Sequence, residues 1–303
     1  MVSTVDHLAT AAGLDLLRKG GSAADAAIGA NAVLAVTSPH LCGMGGDAWA
    51  LVHDGDDVHA LDASGRAGSG ADPDRLRAQG LTRVPLRGEI GAVTVPAAVD
   101  GWLALHDRFG RLSLADVLAA AIGYAADGFT VAPLLSMTLP LVAKVAGNEL
   151  PPEAPTGTVV RRPGSARALE AIAARGRDGF YGGEFGEQLL EVGGGEYAPE
   201  DLAEDQARWV PALSVEAWGH RVWSPPPTSQ GYLTLAGAAI ADVFDLGDEE
   251  RAAHVLIEAA NAAGHDRLLV LHDGADGEAL LAEDRIDAGR AAIDLERAGH
   301  LAA

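Results

Sequence analysis

From Ala23 to Val36 the chain reads AADAAIGANAVLAV, and only Asp25 and Asn31 interrupt the run of small and aliphatic residues. A helix of that composition has no hydrophilic face, so it must be buried on most sides. Upstream, Ala9, Ala12, Leu16 and Leu17 recur at helical spacing, and Gly20-Gly21 stop that first helix where a left-handed cap costs little. Ser22 opens the second helix with Asp25 three residues on, a capping box with a shorter acid than usual. Pro39 ends it. Cys42-Gly43-Met44-Gly45-Gly46-Asp47 then forms a glycine turn into a strand at residues 48–53. Asp54-Gly55-Asp56-Asp57 turns back into a second strand at residues 58–61, a hairpin.

At 303 residues the chain is long enough for one large domain or two small ones. Its 48% hydrophobic and 21% charged residues are those of a globular protein, and with aromatics at 5% the core is built from Ala, Leu and Val. Twenty-two basic against 43 acidic side chains leave a formal charge of −21. Such a surface repels phosphate backbones and anionic membranes alike, so neither nucleic acid nor membrane is expected as a partner. The single cysteine, Cys42, excludes an internal disulfide framework and any multi-cysteine zinc site. No apolar run of about 18 residues stands outside the Ala-rich helices, and no signal peptide opens the chain. Met1-Val2-Ser3-Thr4 lies directly ahead of the first helix, and a cytoplasmic location is expected.

Further along, residues 72–145 read mainly as helices, among them 103–108 and 114–126, the latter capped by Ser113 with Asp116 at the third position. Residues 146–164 are polar and rich in Pro and Gly, an exposed excursion. Helices are expected at 166–175, 183–192, 231–243 and 252–263, a short one from Pro199, and a strand at 215–222. The last twenty residues read as a polar helix ending near Leu301-Ala302-Ala303.

A self-contained catalytic set is missing. There is no G-x-S-x-G elbow, no H-E-x-x-H and no G-x-x-x-x-G-K-[ST]. His53, Asp54, Asp56, Asp57 and His59 cluster in sequence, but the acids sit where a hairpin turn wants solvated polar residues, and no third His or Cys stands near. Cys42 in its apolar neighbourhood reads as packing rather than as a nucleophile. No metal or organic cofactor is implied.

The order of these elements resembles the N-terminal part of the large subunit of the γ-glutamyltranspeptidase family, in which a GGNAxDAA-like helix leads to a P-H-x-x-G-x-GG turn and a central strand. The matching residues are Gly20, Gly21, Asp25, Ala26, Ala27, Pro39, His40, Gly43, Gly45 and Gly46. Leu61 to Ala67, Gly91 to Trp102, Phe109 to Leu112, Asp178 to Gly183, Pro225 to Gly231, and Glu258-Ala259 with His265-Asp266-Arg267 resemble further family segments in order.

That resemblance implies an α+β fold, the four-layer αββα sandwich of the N-terminal-nucleophile (Ntn) hydrolases, with residues 1–303 as one domain completed by a small subunit cut from the same precursor. It implies a heterodimer, or a dimer of heterodimers, acting on a small-molecule amide. The nucleophile would be the N-terminal Thr of the small subunit, whose hydroxyl attacks while its own α-amine serves as base. No catalytic residue is then expected in this chain. Ala303, about 36 residues after Arg267, lies about where the family's large subunit stops, so autocleavage is expected at or near it. Substrate binding is the contribution expected here, and Arg66 is the residue: a guanidinium fork fits a carboxylate. The transpeptidases proper read D-x-R-E-x-A-P, whereas this chain reads Asp62-Ala-Ser-Gly-Arg66-Ala-Gly68, with the arginine two residues later and Gly68 in place of the proline. The S-G-R-A form resembles branches acting on other amides, cephalosporin-acylase-like and oxamate-amidohydrolase-like proteins. Thr228, Ser229 and Gln230 are expected to cap the helix at Gly231, and Ala97, replacing a family glycine, needs no positive φ. Two other classes stay open: a non-catalytic protein binding a small molecule or partner, and a nucleotide-binding α/β enzyme using Gly43 to Gly46, which Asp47 after the turn disfavours.

Overall fold

The structure, a computed structural model, describes residues 1–85, 90–142 and 148–299, which group into two compact units. One comprises residues 1–48 and 63–207, the other residues 49–62 and those from 208 onward.

At the heart of the first unit is the alanine helix, Ala23–Thr37, with 11 of its 15 residues buried against the helices His7–Arg18, Ala98–Phe109 and Leu114–Asp127. Gly29 permits this approach, because a Cβ there would collide with Leu16 and stand 3.0 Å from the Val117 carbonyl oxygen. Ser22, Asp25 Oδ2 and Asn31 are engaged, while Asp25 Oδ1 and Thr37 Oγ1 are buried without a hydrogen-bond partner. Ser22 Oγ accepts from the Asp25 N–H at 3.1 Å and Asp25 Oδ2 accepts from the Ser22 N–H at 2.7 Å, the expected capping box. The same carboxylate oxygen accepts from the N–H groups of Arg111 (3.0 Å) and Leu112 (3.3 Å), tying a distant turn to the helix start. Asn31 Oδ1 accepts from Trp102 Nε1 at 2.8 Å. Where the helix ends, the Arg162 guanidinium donates to the carbonyls of Ala35 (2.7 Å) and Val36 (3.2 Å), a cation at the negative end of the dipole.

Between residues 72 and 142 the expected helices occur at Pro73–Ala78, Ala98–Phe109, Leu114–Asp127 and Pro133–Val142. The described residues between the first two are not α-helical and carry one 3₁₀ turn, Ile90–Ala92, while residues 143–145 lie outside the described ones. Ser113 caps its helix through the Asp116 N–H at 3.1 Å. Within the Pro/Gly-rich stretch Val159–Val160 pairs with Phe129–Thr130, which ties it back to the unit; residues 146–147 fall outside the description. Helices Pro163–Arg175, Arg177–Phe180, Glu184–Gly193 and Pro199–Ala203 complete the unit.

The strands Ala48–His53 and Val58–Ala63 and the short Arg208–Val210 form a sheet in that order, and Val58–Ala63 runs antiparallel to Arg208–Val210 with Leu61 opposite Trp209. The single strand expected at 215–222 is instead a hairpin, Leu213–Ala217 against His220–Ser224. Trp218 (φ 50°) and Gly219 (φ 73°) make the turn; both central residues take positive φ, as a two-residue hairpin demands, but a tryptophan is no turn signal. Behind it the helices Tyr232–Ala241, Glu249–Gly264 and Glu283–Ala292 enclose Ala236, Ile240, Val255, Ala259 and Ile286. The terminal helix expected to run on to Leu301-Ala302-Ala303 stops at Ala292. The chain folds back: the Asp294 carbonyl meets His254 Nε2 at 2.8 Å and the Gly299 N–H donates to Glu258 at 3.0 Å. Residues 300–303, with the expected cleavage site, lie outside the described residues. Among the described residues no helix is long and apolar enough to cross a membrane.

Candidate substrate-binding site

Arg66 sits in a loop of the first unit that leaves the strand Val58–Ala63 and is clamped on both sides by backbone. The Val95 N–H donates to the Arg66 carbonyl at 2.8 Å, Thr94 Oγ1 to the Ser64 carbonyl at 3.2 Å, and the Gly70 N–H to the Glu196 carbonyl at 3.1 Å. Gly65 has φ +72°, and any Cβ at Gly65, Gly68 or Gly70 would collide with the carbonyl of Val95, Glu196 or Gly195 respectively. The glycine replacing the family's proline at residue 68 is therefore required by the close approach of Glu196.

The Arg66 side chain is 40% exposed, and its guanidinium meets three side chains from residues 201–206. Its NH2 lies 2.6 Å from Glu204 Oε2 and 3.7 Å from Asp201 Oδ1, and its NH1 donates to Gln206 Oε1 at 3.3 Å. Asp201 is buried, and its Oδ2 accepts from the Ser69 N–H (2.9 Å), the Ser69 hydroxyl (2.7 Å) and the Ala198 N–H (2.8 Å). Burial pushes this carboxyl upward, but those donors and Arg66 outweigh it and hold Asp201 below the ordinary range. Gln206 is fixed in turn, its amide donating to the carbonyls of Asp201 (3.3 Å) and Glu204 (3.0 Å) and its N–H to Asp100 Oδ2 (2.9 Å).

Asp100 carries the support deeper. It is buried, and its Oδ1 lies 3.0 Å from Arg177 Nε. Burial raises its carboxyl, opposed by the Gln206 N–H and by Arg177. Arg177 also lies over the Tyr181 ring, 4.4 Å from its centroid. The Tyr181 phenol, raised chiefly by burial, donates to the Pro96 carbonyl at 2.8 Å, next to the clamp on Arg66. An arginine in water is thus backed by a chain of buried, paired polar groups, which makes the site rigid.

The other singled-out segments have structural duties. The Gly46 carbonyl accepts from the N–H groups of Ala97 (2.9 Å) and Ala98 (3.0 Å), so the glycine turn caps the helix carrying Trp102; Ala97 has φ −126°, as expected for a residue other than glycine. His40 has both ring nitrogens buried without a hydrogen-bond partner, and burial lowers its pKa. Burial raises the Cys42 thiol, which lines a cleft of about 700 Å³ together with Met44, Arg162 and Phe185. Arg66 does not line this cleft, and Arg167, which does, is matched bidentately by Glu184. In the second unit Asp54 is occupied by its own turn, accepting from the N–H groups of Asp56 (3.1 Å) and Asp57 (2.9 Å) and meeting His59 Nε2 at 2.7 Å. Among the described residues no group of three or more His, Cys, Asp or Glu side chains could hold a metal ion. Ser229 Oγ accepts from the Gly231 N–H at 3.1 Å, but the helix Tyr232–Ala241 has no side-chain cap, which corrects that expectation; Gln230 instead accepts from Arg267 at 2.6 Å. Arg285 NH2 donates to both carboxylate oxygens of Asp266, at 3.0 and 3.1 Å.

The sequence model of the family described as gamma-glutamyltranspeptidase matches residues 9–299. The glutathione hydrolase-like YwrD proenzyme of Bacillus subtilis is 34% identical over 322 residues, spanning 100% of this chain and 60% of that protein. The oxamate amidohydrolase proenzyme of Klebsiella pneumoniae is 35% identical over 279 residues, 85% of this chain and 52% of that protein. Cephalosporin acylase from Bacillus halodurans superposes with a TM-score of 0.85 at 32% identity, covering 95% of this chain and 58% of that one. Helicobacter pylori γ-glutamyltranspeptidase gives a TM-score of 0.87 at 24% identity, covering 96% and 91%. The fold is the α+β fold of the Ntn hydrolases, as these structures share it. The chain belongs to the γ-glutamyltranspeptidase family. It spans about half the length of the curated relatives it matches.

Proposed function

We propose that this chain is the large subunit of an Ntn amidohydrolase or acyltransferase, one domain shared with a small subunit released from the same precursor. The Thr at the start of that small subunit attacks the amide carbon of a small-molecule substrate. Its Oγ–C bond forms, the C–N bond breaks, the α-amine passes the hydroxyl proton to the leaving amine, and water or an acceptor amine then releases the acyl group. Several relatives are proenzymes, among them an oxamate amidohydrolase and the acylase ACY 1 of Pseudomonas, which supports both the processing and the amide chemistry. The observation that carries the substrate class is Arg66: a rigidly backed, partly exposed guanidinium that already holds carboxylates. Its role is to bind a carboxylate on the acyl group. The non-catalytic binding protein and the nucleotide-binding enzyme receive no support from the matches.

The test is expression of the whole reading frame followed by intact-mass measurement, with two chains expected and an N-terminal Thr on the smaller. Arg66→Ala should then process normally but lose carboxylate recognition. A charge-assisted fork is worth about 2–4 kcal/mol, and releasing an exposed Glu204 returns roughly 0.2–1 kcal/mol of that. The expected fall in kcat/KM for glutaryl-p-nitroanilide is about 10- to 300-fold, with the neutral butyryl-p-nitroanilide unaffected. Arg66→Lys should recover only part. Equal kinetics of Arg66→Ala and wild type on both substrates would remove Arg66 from the site.

A further inference from the structure

The carboxylate on Arg66 belongs to the protein itself, and the two acids that face this arginine are held very differently. Asp201 is buried and committed through Oδ2 to three donors, with its nearer free oxygen still 3.7 Å away. Glu204 makes the short contact, 2.6 Å, yet its side chain is 69% exposed. Its backbone does not share that freedom: the Glu204 carbonyl accepts from Gln206 Nε2 at 3.0 Å and from Arg177. The main chain is pinned and only the side chain can swing.

We infer that Glu204 is a displaceable internal ligand of Arg66, a specificity-determining residue that weakens the site for carboxylate-bearing acyl groups. The inference rests on the reading of Arg66 given above. With Glu204 in place the cluster of Arg66, Asp201 and Glu204 carries one positive and two negative charges. A carboxylate that takes the fork formed by NH1 and NH2 has to displace Glu204, which occupies NH2 while Gln206 engages NH1. An uncharged acyl group makes no such demand. An exposed pair of this kind is weak, equivalent to about 1.5- to fivefold in affinity, and salt screens it. The plug therefore tunes the site without closing it.

The experiment uses the processed two-chain enzyme as wild type, Glu204→Gln and Arg66→Ala. Glutarate binding is read by calorimetry, which needs no turnover, and KM and kcat are read with glutaryl- and butyryl-p-nitroanilide. Glu204→Gln should bind glutarate about 1.5- to fivefold more tightly and lower KM for the glutaryl substrate by a similar factor. Its kcat, and both constants for the butyryl substrate, should be unchanged, and the gain should shrink at high salt. Unchanged or weaker glutarate binding in Glu204→Gln, while Arg66→Ala still abolishes it, overturns the plug and leaves Arg66 as the receptor. Glutarate binding that is insensitive to Arg66→Ala, or absent in every form, overturns both.

Discussion

Asp25→Ala removes one side chain that two separated segments share, the start of its own helix and the turn at 111–112. Asp25 is fully buried, and a single oxygen accepts the N–H groups of Ser22 (2.7 Å), Arg111 (3.0 Å) and Leu112 (3.3 Å). Losing the capping half of this set costs about 0.5–2 kcal/mol. The Arg111 and Leu112 donors lose a charged acceptor, but Arg111 is exposed and Leu112 half-buried, so water recovers part; about 1–3 kcal/mol is lost there. The sum, about 1.5–5 kcal/mol, is a large share of the roughly 5–15 kcal/mol of a typical protein. Urea unfolding of the protein expressed from the whole reading frame, followed by circular dichroism, should show the midpoint falling by about 1–2 M. Asp25→Asn keeps an acceptor without the charge and should lose about half as much. An Asp25→Ala protein within about 0.5 kcal/mol of wild type would refute the view that this carboxylate joins the turn to the helix.

Two further outcomes test the folding argument elsewhere. Asp201 has a lowered pKa in the folded protein, so its contribution is present above the unfolded carboxyl value of about 3.9 and is lost as pH falls through the folded value; the stability gap between wild type and Asp201→Asn, measured by urea unfolding, should be widest near neutral pH and narrow on acidification, and a pH-independent gap would contradict this. Trp218→Asn places a residue tolerant of positive φ at the first turn position and should raise the melting temperature, with a gain of about 0.5–1 kcal/mol by calorimetry, whereas a drop would mean that the tryptophan ring contributes more than its backbone strain costs.

What could be read in advance follows the range of the interactions. Ser22 and Asp25 are three residues apart, so their capping box announces itself, as do the burial of the alanine helix and the turn at Asp54. The second use of Asp25, by Arg111 and Leu112, leaves no local trace, and neither does the engagement of Ala35 and Val36 by Arg162. The Trp218-Gly219 turn was hidden because an aromatic residue in a strand-like run speaks for continuation. At the site, Arg66 was visible through resemblance, but Asp201, Glu204 and Gln206 lie well over a hundred residues downstream in an ordinary polar stretch. The glycines at 65, 68 and 70 were the available hint, since three in six residues beside an arginine signal backbone packed against backbone.

That packing bears on how the proposed enzyme could be retargeted. The Arg66 loop is wedged between the main chain at 94–95 and at 195–196, with no room for a single methyl group at three of its positions. A transplant of the D-x-R-E-x-A-P loop from a transpeptidase would bring a proline to residue 68 and drive it into the Glu196 carbonyl. Exchange of specificity between branches is therefore a three-segment graft: the loop, residues 93–97 and residues 195–206 would have to move together. Directed evolution confined to the loop alone would spend most of its library on proteins that cannot close around it, and crossovers that keep all three segments from one parent should be strongly enriched among the survivors.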